Sequence, residues 1–286
     1  MFENFWFKAV PSFFTTKVLR TLAFSCLIVA VYTFAILYFE QNVLHIDFKP
    51  SPTIFSLLGV VLGLLLVFRT NTAYDRWWEG RRMLGNLTNN TRSFAIKLDA
   101  YLAKDDLENR LFFAQMIGNY GVAMKEHLRK GVKFKELEIE DSYLEELKKT
   151  QHVPNKIAAF ICRRVTELYR KGLITKEEFI VIDKNIESFT DVVGACERIK
   201  NTPIPKSYSI HLKKFLFLYM MMLPFGIIHD LQYWSILVMV IVFYAFTGLE
   251  IIGEEIEDPF GKDINDLQTD AISKNIRANV HELLGV

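Results

Sequence analysis

The chain has 286 residues, a net charge of +1, and an apolar share of 51% that includes 24 Phe. The near-neutral balance excludes a protein whose main partner is nucleic acid, because phosphate binding needs a basic excess. Three cysteines, Cys26, Cys162 and Cys196, are too few and too far apart for a disulfide framework or a CxxC metal centre.

The opening stretch "MFENFWFKAVPSFFTTKVL" mixes Phe and Trp with Lys8 and Pro11. It lacks the basic n-region and apolar h-region of a cleavable signal and reads as an interfacial lead-in. Three uncharged runs follow, Thr21 to Phe39, Ser51 to Phe68 and Leu231 to Leu249. Each is close to the roughly 20 residues a membrane-spanning helix needs. A shorter run, Phe215 to His229, holds Pro224 and Gly226. Its length also suits a re-entrant or buried segment; a full span is the expectation. Lys8, Lys17 and Arg20 precede the first run, and Arg69, Arg76, Arg81 and Arg82 follow the second. Lys206, Lys213 and Lys214 precede the third, whereas the loop Glu40 to Pro50 has Lys49 alone. Positive charge marks the cytoplasmic side, so both termini and the centre are expected in the cytoplasm.

Four segments result: 1–68 with the first two spans, 69–214 as a cytoplasmic helical domain, 215–252 with the last two spans, and a cytoplasmic segment 253–286. The central segment reads as helical. "RKG" occurs at Arg129–Gly131 and Arg170–Gly172, a basic last turn before glycine that stops a helix. "TKEE" at Thr175 to Glu178 is a capping box, and Pro203 and Pro205 end the helix it opens. The fold class is all-α: four transmembrane helices continuous with a cytoplasmic helical bundle.

No GxSxG, HExxH, P-loop or GxGxxG occurs, and the six histidines are scattered, so no enzyme, cofactor or metal site is expected. The second span, "SPTIFSLLGVVLGLLLVF", carries Gly59 and Gly63 at GxxxG spacing, which permits close helix contact. Val60, Leu64 and Phe68 recur every four residues on one stripe. The stripe faces lipid or another helix, or it lines a pore as a constriction that gates by dewetting. Glu250, Glu254, Glu255, Glu257 and Asp258 follow the fourth span. Acids beside a membrane face water or a partner; Glu250, Glu254 and Glu255 are candidates for an acidic vestibule, and Glu254 and Asp258 would share a helix face.

"RTNTAYDRWWEGRR" (69–82), "ACERIKNTPIP" (195–205) and "IIGEEIEDPFG" (251–261) together resemble the bestrophin family in its bacterial branch. The resemblance covers nearly the whole chain. It implies an ion channel of five identical subunits around one central pore in the bacterial inner membrane, with itself and the bilayer as partners. Its neck is formed by three apolar residues of the second membrane helix, matching Val60, Leu64 and Phe68. A second, cytoplasmic aperture falls at Glu177 by ungapped counting, or at Ile180 with a short gap; the hydrophobic character of the aperture favours Ile180. Animal members are calcium-activated chloride channels with an acidic clasp after Pro-Phe-Gly. Here Pro259–Phe260–Gly261 is followed by Lys262, and only Asp263 and Asp266 remain of the clasp. Calcium wants six to eight oxygen ligands, so a tight site is not expected. The bacterial branch implies conduction of monovalent cations such as Na⁺, with an anion channel or a secondary transporter as alternatives. A transporter would show inverted repeats, and Pro224–Gly226 has no counterpart in the first half.

Overall fold

The computed structural model describes residues 17–44 and 51–286. The interfacial lead-in up to residue 16 and residues 45–50 of the first outer loop lie outside the described residues. Every regular element among the described residues is helical. These are α1 (Lys17–Phe39, continued by a π-helical turn Glu40–Leu44), α2 (Pro52–Tyr101), α3 (Leu107–His127), α4 (Asp141–Lys148), α5 (Val153–Arg170), α6 (Lys176–Asn201), α7 (Lys206–Leu231), α8 (Trp234–Glu257) and α9 (Thr269–Leu284), with a short 3₁₀ turn at Phe134–Glu136.

The chain forms two compact units. One takes the described residues of Met1–Asp75 and Ile204–Glu257, the other Arg76–Pro203 and Asp258–Val286. In the first unit, α1, the start of α2, α7 and α8 are each long and apolar enough to cross a membrane. Mean hydropathy reaches 2.3, 2.1, 1.4 and 2.3 in their most apolar windows, of which only 17%, 22%, 39% and 22% is buried within one chain. So much open apolar surface far exceeds what a soluble monomer presents, and lipid or neighbouring subunits must cover it. The buried part centres on Phe55, Leu62, Leu66, Leu216, Tyr219, Met220 and Met239.

α7 settles the ambiguous fourth run. It is one helix of 26 residues with Pro224 inside it, long enough to span. Proline removes one N–H from the ladder, and the Tyr32 hydroxyl of α1 donates to the Met221 carbonyl in that turn at 2.9 Å. Gly226 gives room to Phe55: a Cβ there would strike the ring.

In the second unit the core gathers Phe94, Phe113, Tyr120, Phe160 and Phe189, with Tyr120 and Phe189 stacked at 4.5 Å. Arg110 donates to the carbonyls of Asp99, Leu102 and Ala103 at the end of α2, and to Leu284 at the end of α9. Those carbonyls have no partner within their own helices, and a guanidinium at a helix C-terminus also opposes the macrodipole. The expected stops are present, Gly131 at φ 111° and Gly172 at φ 70°. The capping box closes as read: Thr175 N–H donates to Glu178 at 2.7 Å and Glu178 N–H to Thr175 Oγ1 at 3.3 Å.

Candidate functional site

α2 has 50 residues, about 75 Å at 1.5 Å per residue, more than twice the roughly 30 Å hydrocarbon core. The second span and the arginine-rich motif after it therefore lie on one unbroken helix. Pro52 sits at its first position, where a missing N–H costs nothing. Within the first unit α2 has two faces. Leu62 and Leu66 are fully buried, whereas Val60, Leu64 and Phe68 are 62%, 54% and 63% exposed. The three side chains of the stripe thus project from the subunit, about 6 Å apart per four-residue step. Of the GxxxG pair, Gly59 is the close approach, since a Cβ there would lie 2.6 Å from the Tyr219 hydroxyl oxygen. Gly63 has ordinary room, with Phe246 at 3.9 Å.

Just past the stripe, Arg69 is buried and donates to the Glu250 carboxylate at 3.0 Å and carbonyl at 3.1 Å, and to Glu257 at 3.5 Å. Glu257 in turn accepts from the Ile204 N–H at 2.9 Å. Side-chain exposure is 2% for Arg69 and 7% for Glu250. Lys213 sits 3.5 Å from Glu250 and 2.9 Å from Glu254. Of the vestibule candidates, Glu250 is therefore the buried partner of an arginine, Glu254 is exposed and lysine-paired, and Glu255 is half-buried. α8 ends at Glu257, so Asp258 lies one residue past the helix that carries Glu254.

In the second unit the arginine-rich motif acts as an anchor. Arg76 donates to the carbonyls of Ile199 and Thr202 at the end of α6, Arg198 pairs with Glu79 at 2.6 Å, and Trp77 Nε1–H donates to the Asn265 carbonyl at 2.9 Å. Gly80 admits Phe260 and Leu267, both about 3.2 Å from where a Cβ would be. The segment after Pro259 folds on itself: Leu267 N–H donates to the Pro259 carbonyl at 2.9 Å, and Asp263 N–H to Asp266 Oδ2 at 2.6 Å. One oxygen of the clasp remnant is thus engaged by backbone. Ile180, in the first turns of α6, is 49% exposed, and Glu177 is exposed one turn earlier. Asp183, Glu187 and Asp191 continue that exposed side.

The fold also assembles groups that the sequence scatters. Lys125, Glu126, Arg129, Lys133, Glu136 and Asp270 form a connected ion network, with Arg129–Asp270 at 2.7 Å and Lys125–Asp270 at 3.0 Å. The Arg129 hydrogen bond holds the Asp270 carboxyl far below the usual range, outweighing burial. Burial pushes Glu126 up, but hydrogen bonds from Lys133 and Lys125 prevail and leave it lowered. A second cluster unites His127, His152 and Glu197. Both imidazole Nε2 atoms approach Glu197 Oε1, at 2.6 and 2.9 Å. Burial acts to raise the Glu197 pKa, yet the hydrogen bond from His127 and the charge and hydrogen bond of His152 bring it below the usual value. The three residues lie 25 and 45 positions apart along the chain, so no local motif announces them. The neighbouring Cys196 thiol is buried and pushed up to about 12.

Four helices long and apolar enough to span, joined to a helical domain, define an all-helical membrane protein. The family model described as Bacterial/Fungal Bestrophin protein matches residues 3–282, and the chain belongs to the bestrophin family. It is 40% identical over 230 residues to a voltage-dependent anion channel-forming protein of Nostoc sp., covering 79% of this chain and 75% of that one. A protein of the same description from Synechocystis sp. is 35% identical over 231 residues, with the same shares covered. The fold matches a crystal structure of a bacterial bestrophin homologue from Klebsiella pneumoniae with a TM-score of 0.87 and 25% identity, over 93% of this chain and 100% of that one.

Proposed function

We propose that five copies of this chain form a channel for monovalent ions, with the Val60–Leu64–Phe68 face of each α2 turned to a central axis. The observation that carries this is the exposure of three large apolar side chains on the face of α2 opposite its buried one. Three stacked apolar rings give an ion no hydrogen-bond partner and shed water readily, so the neck gates rather than selects. Ile180 forms the cytoplasmic aperture, with Glu177 beside it. The flanking charges support an inner-membrane protein with both termini in the cytoplasm. No tight calcium site takes part.

Selectivity has two readings. Glu177, Asp183, Glu187 and Asp191 make the exposed side of α6 that carries Ile180 predominantly acidic, against Lys176 and Lys184. Field-focusing by such a side favours cations, which is the first reading. The names of the relatives from Nostoc and Synechocystis favour anions, which is the second. Reversal potentials of the purified protein in a planar bilayer decide, under a NaCl gradient and then a sodium gluconate gradient. A potential near the Na⁺ equilibrium value, unmoved by gluconate, supports the first; one that tracks chloride supports the second. Saturating flux without unitary steps would overturn the channel itself.

A further inference from the structure

We propose that His127, His152 and Glu197 form a binding site for a late first-row divalent cation of the zinc class, one ion per subunit. The site joins three elements of the second unit. His127 is the last residue of α3, His152 is the N-cap of α5, and Glu197 lies on α6.

The geometry is already near that of a coordination sphere. The donor atoms all lie within 4.8 Å of one another, and the ring centroids of the two histidines are 4.5 Å apart. Zinc–ligand bonds of about 2.0–2.2 Å place neighbouring tetrahedral ligand atoms about 3.4 Å apart. The Nε2–Oε1 separations of 2.6 and 2.9 Å need only open by less than about 1 Å to reach that edge. Side-chain exposures of 24%, 32% and 29% for His127, His152 and Glu197 leave the cluster open on one side, which admits the ion and a water as fourth ligand. Two imidazoles and one carboxylate select zinc, copper, nickel or cobalt and discriminate against magnesium and calcium. Cys196, next in sequence to Glu197, stays a buried thiol and is not a ligand.

Without metal, the Asn155 N–H donates to His152 Nδ1 at 3.2 Å. His152 then carries its proton on Nε2 and gives it to Glu197. Metal at Nε2 moves that proton to Nδ1, and Asn155 loses its acceptor. Only an ion that binds imidazole strongly offsets the lost cap, which sharpens the preference. Lys200 lies near but is engaged elsewhere, donating to the carbonyls of His127 and Arg129 at 3.0 and 3.2 Å.

The test uses the full-length oligomer in detergent, stripped with chelator and dialysed. Zinc chloride is titrated by calorimetry, and cobalt chloride by visible absorption. The variants are His127→Gln, His152→Asn and Glu197→Gln, with Cys26→Ser/Cys162→Ser as a thiol control. His152→Asn keeps a side-chain acceptor at the N-cap, so α5 retains its start. The expected result is one zinc per subunit, a tetrahedral cobalt spectrum, a higher melting temperature with zinc, and affinity at least about tenfold weaker in each of the three variants. Magnesium should give no heat at the same concentrations. Absence of stoichiometric zinc binding, binding unchanged in both His127→Gln and His152→Asn, or binding lost only in the cysteine variant would overturn the proposal. None of these readouts depends on which ion the channel conducts or whether it conducts.

Discussion

Leu64 shows how position rather than residue type sets a side chain's role. Leu62 and Leu66, two residues to either side, are sealed in the first unit's core, while Leu64 is 54% exposed. Leu64→Ala leaves the sealed core of Leu62 and Leu66 intact, so its effect on subunit stability should stay within about 1 kcal/mol. If the stripe lines the axis, the substitution widens the middle ring and weakens its dewetting. Single-channel conductance or open probability then rises, and the reversal potential stays where it was because no charge has moved. A normally assembled Leu64→Ala channel with parental currents would show that the stripe faces lipid. Arg69 is the opposite case. Removing its buried carboxylate partner in Glu250→Ala leaves a buried charge with only the backbone carbonyl of position 250 at 3.1 Å and Glu257 at 3.5 Å, and such losses cost about 3–5 kcal/mol. Glu254→Ala breaks an exposed pair with Lys213 and should cost no more than about 1 kcal/mol. Thermal melts of the two variants in the same detergent separate these outcomes.

At the scale of elements, the network between α3, the 3₁₀ turn and α9 predicts a pH response. The carboxyls of Asp270, Glu126 and Glu136 are all held below their ordinary values by lysines and Arg129. A carboxylate with a lowered folded pKa adds stability above its unfolded pKa and loses it as pH falls through the folded one. The second unit should therefore hold its stability from neutral pH down to about pH 4 and lose it progressively below. Asp270→Asn should flatten that acid limb, as followed by helix content across a pH series. The segment after Pro259 carries a separate expectation. Asp266 Oδ2 is already taken by the Asp263 N–H, and Lys262 begins the run where animal relatives bear an acid. Micromolar calcium should neither raise current nor release measurable heat, and a stoichiometric calcium site lost in Asp263→Ala would refute this. Elements of this kind were legible in the sequence where the signal is local. Thr175 and Glu178 are three residues apart and make a reciprocal cap, and Gly131 and Gly172 stop helices because each adopts a positive φ. The run Phe215 to His229 is short of a span by itself, and the full span expected of it is reached because polar residues from Lys206 onward belong to the same helix.

At the scale of the whole molecule, the limits of sequence reading follow from distance along the chain. The four spans and the α2 stripe were legible because apolar runs and four-residue spacing are properties of contiguous sequence. The pairing of Arg69 with Glu250 spans 181 residues, and the acids in the last turns of α8 read as a vestibule because nothing nearby in sequence shows which of them an arginine takes. The His127–His152–Glu197 cluster was missed for the same reason. Assembly is the remaining step. One chain supplies a single α2, and a single helix cannot enclose an axial pore, so the pore requires a closed ring of identical subunits. The open apolar surface of the first unit is compatible with such a ring and with lipid around it, and the two covers are separable. A cysteine introduced in place of Leu64, in a chain whose Cys26 and Cys162 are replaced by serine, should cross-link between subunits on mild oxidation if the stripes converge on an axis. A cysteine replacing Phe24 of α1, 71% exposed and far along the chain from that stripe, serves as the lipid-facing comparison and should stay monomeric under the same treatment. Native mass spectrometry of the uncross-linked protein should give five chains. Only monomers or dimers, or cross-links at Phe24 in preference to Leu64, would refute the axial placement of α2.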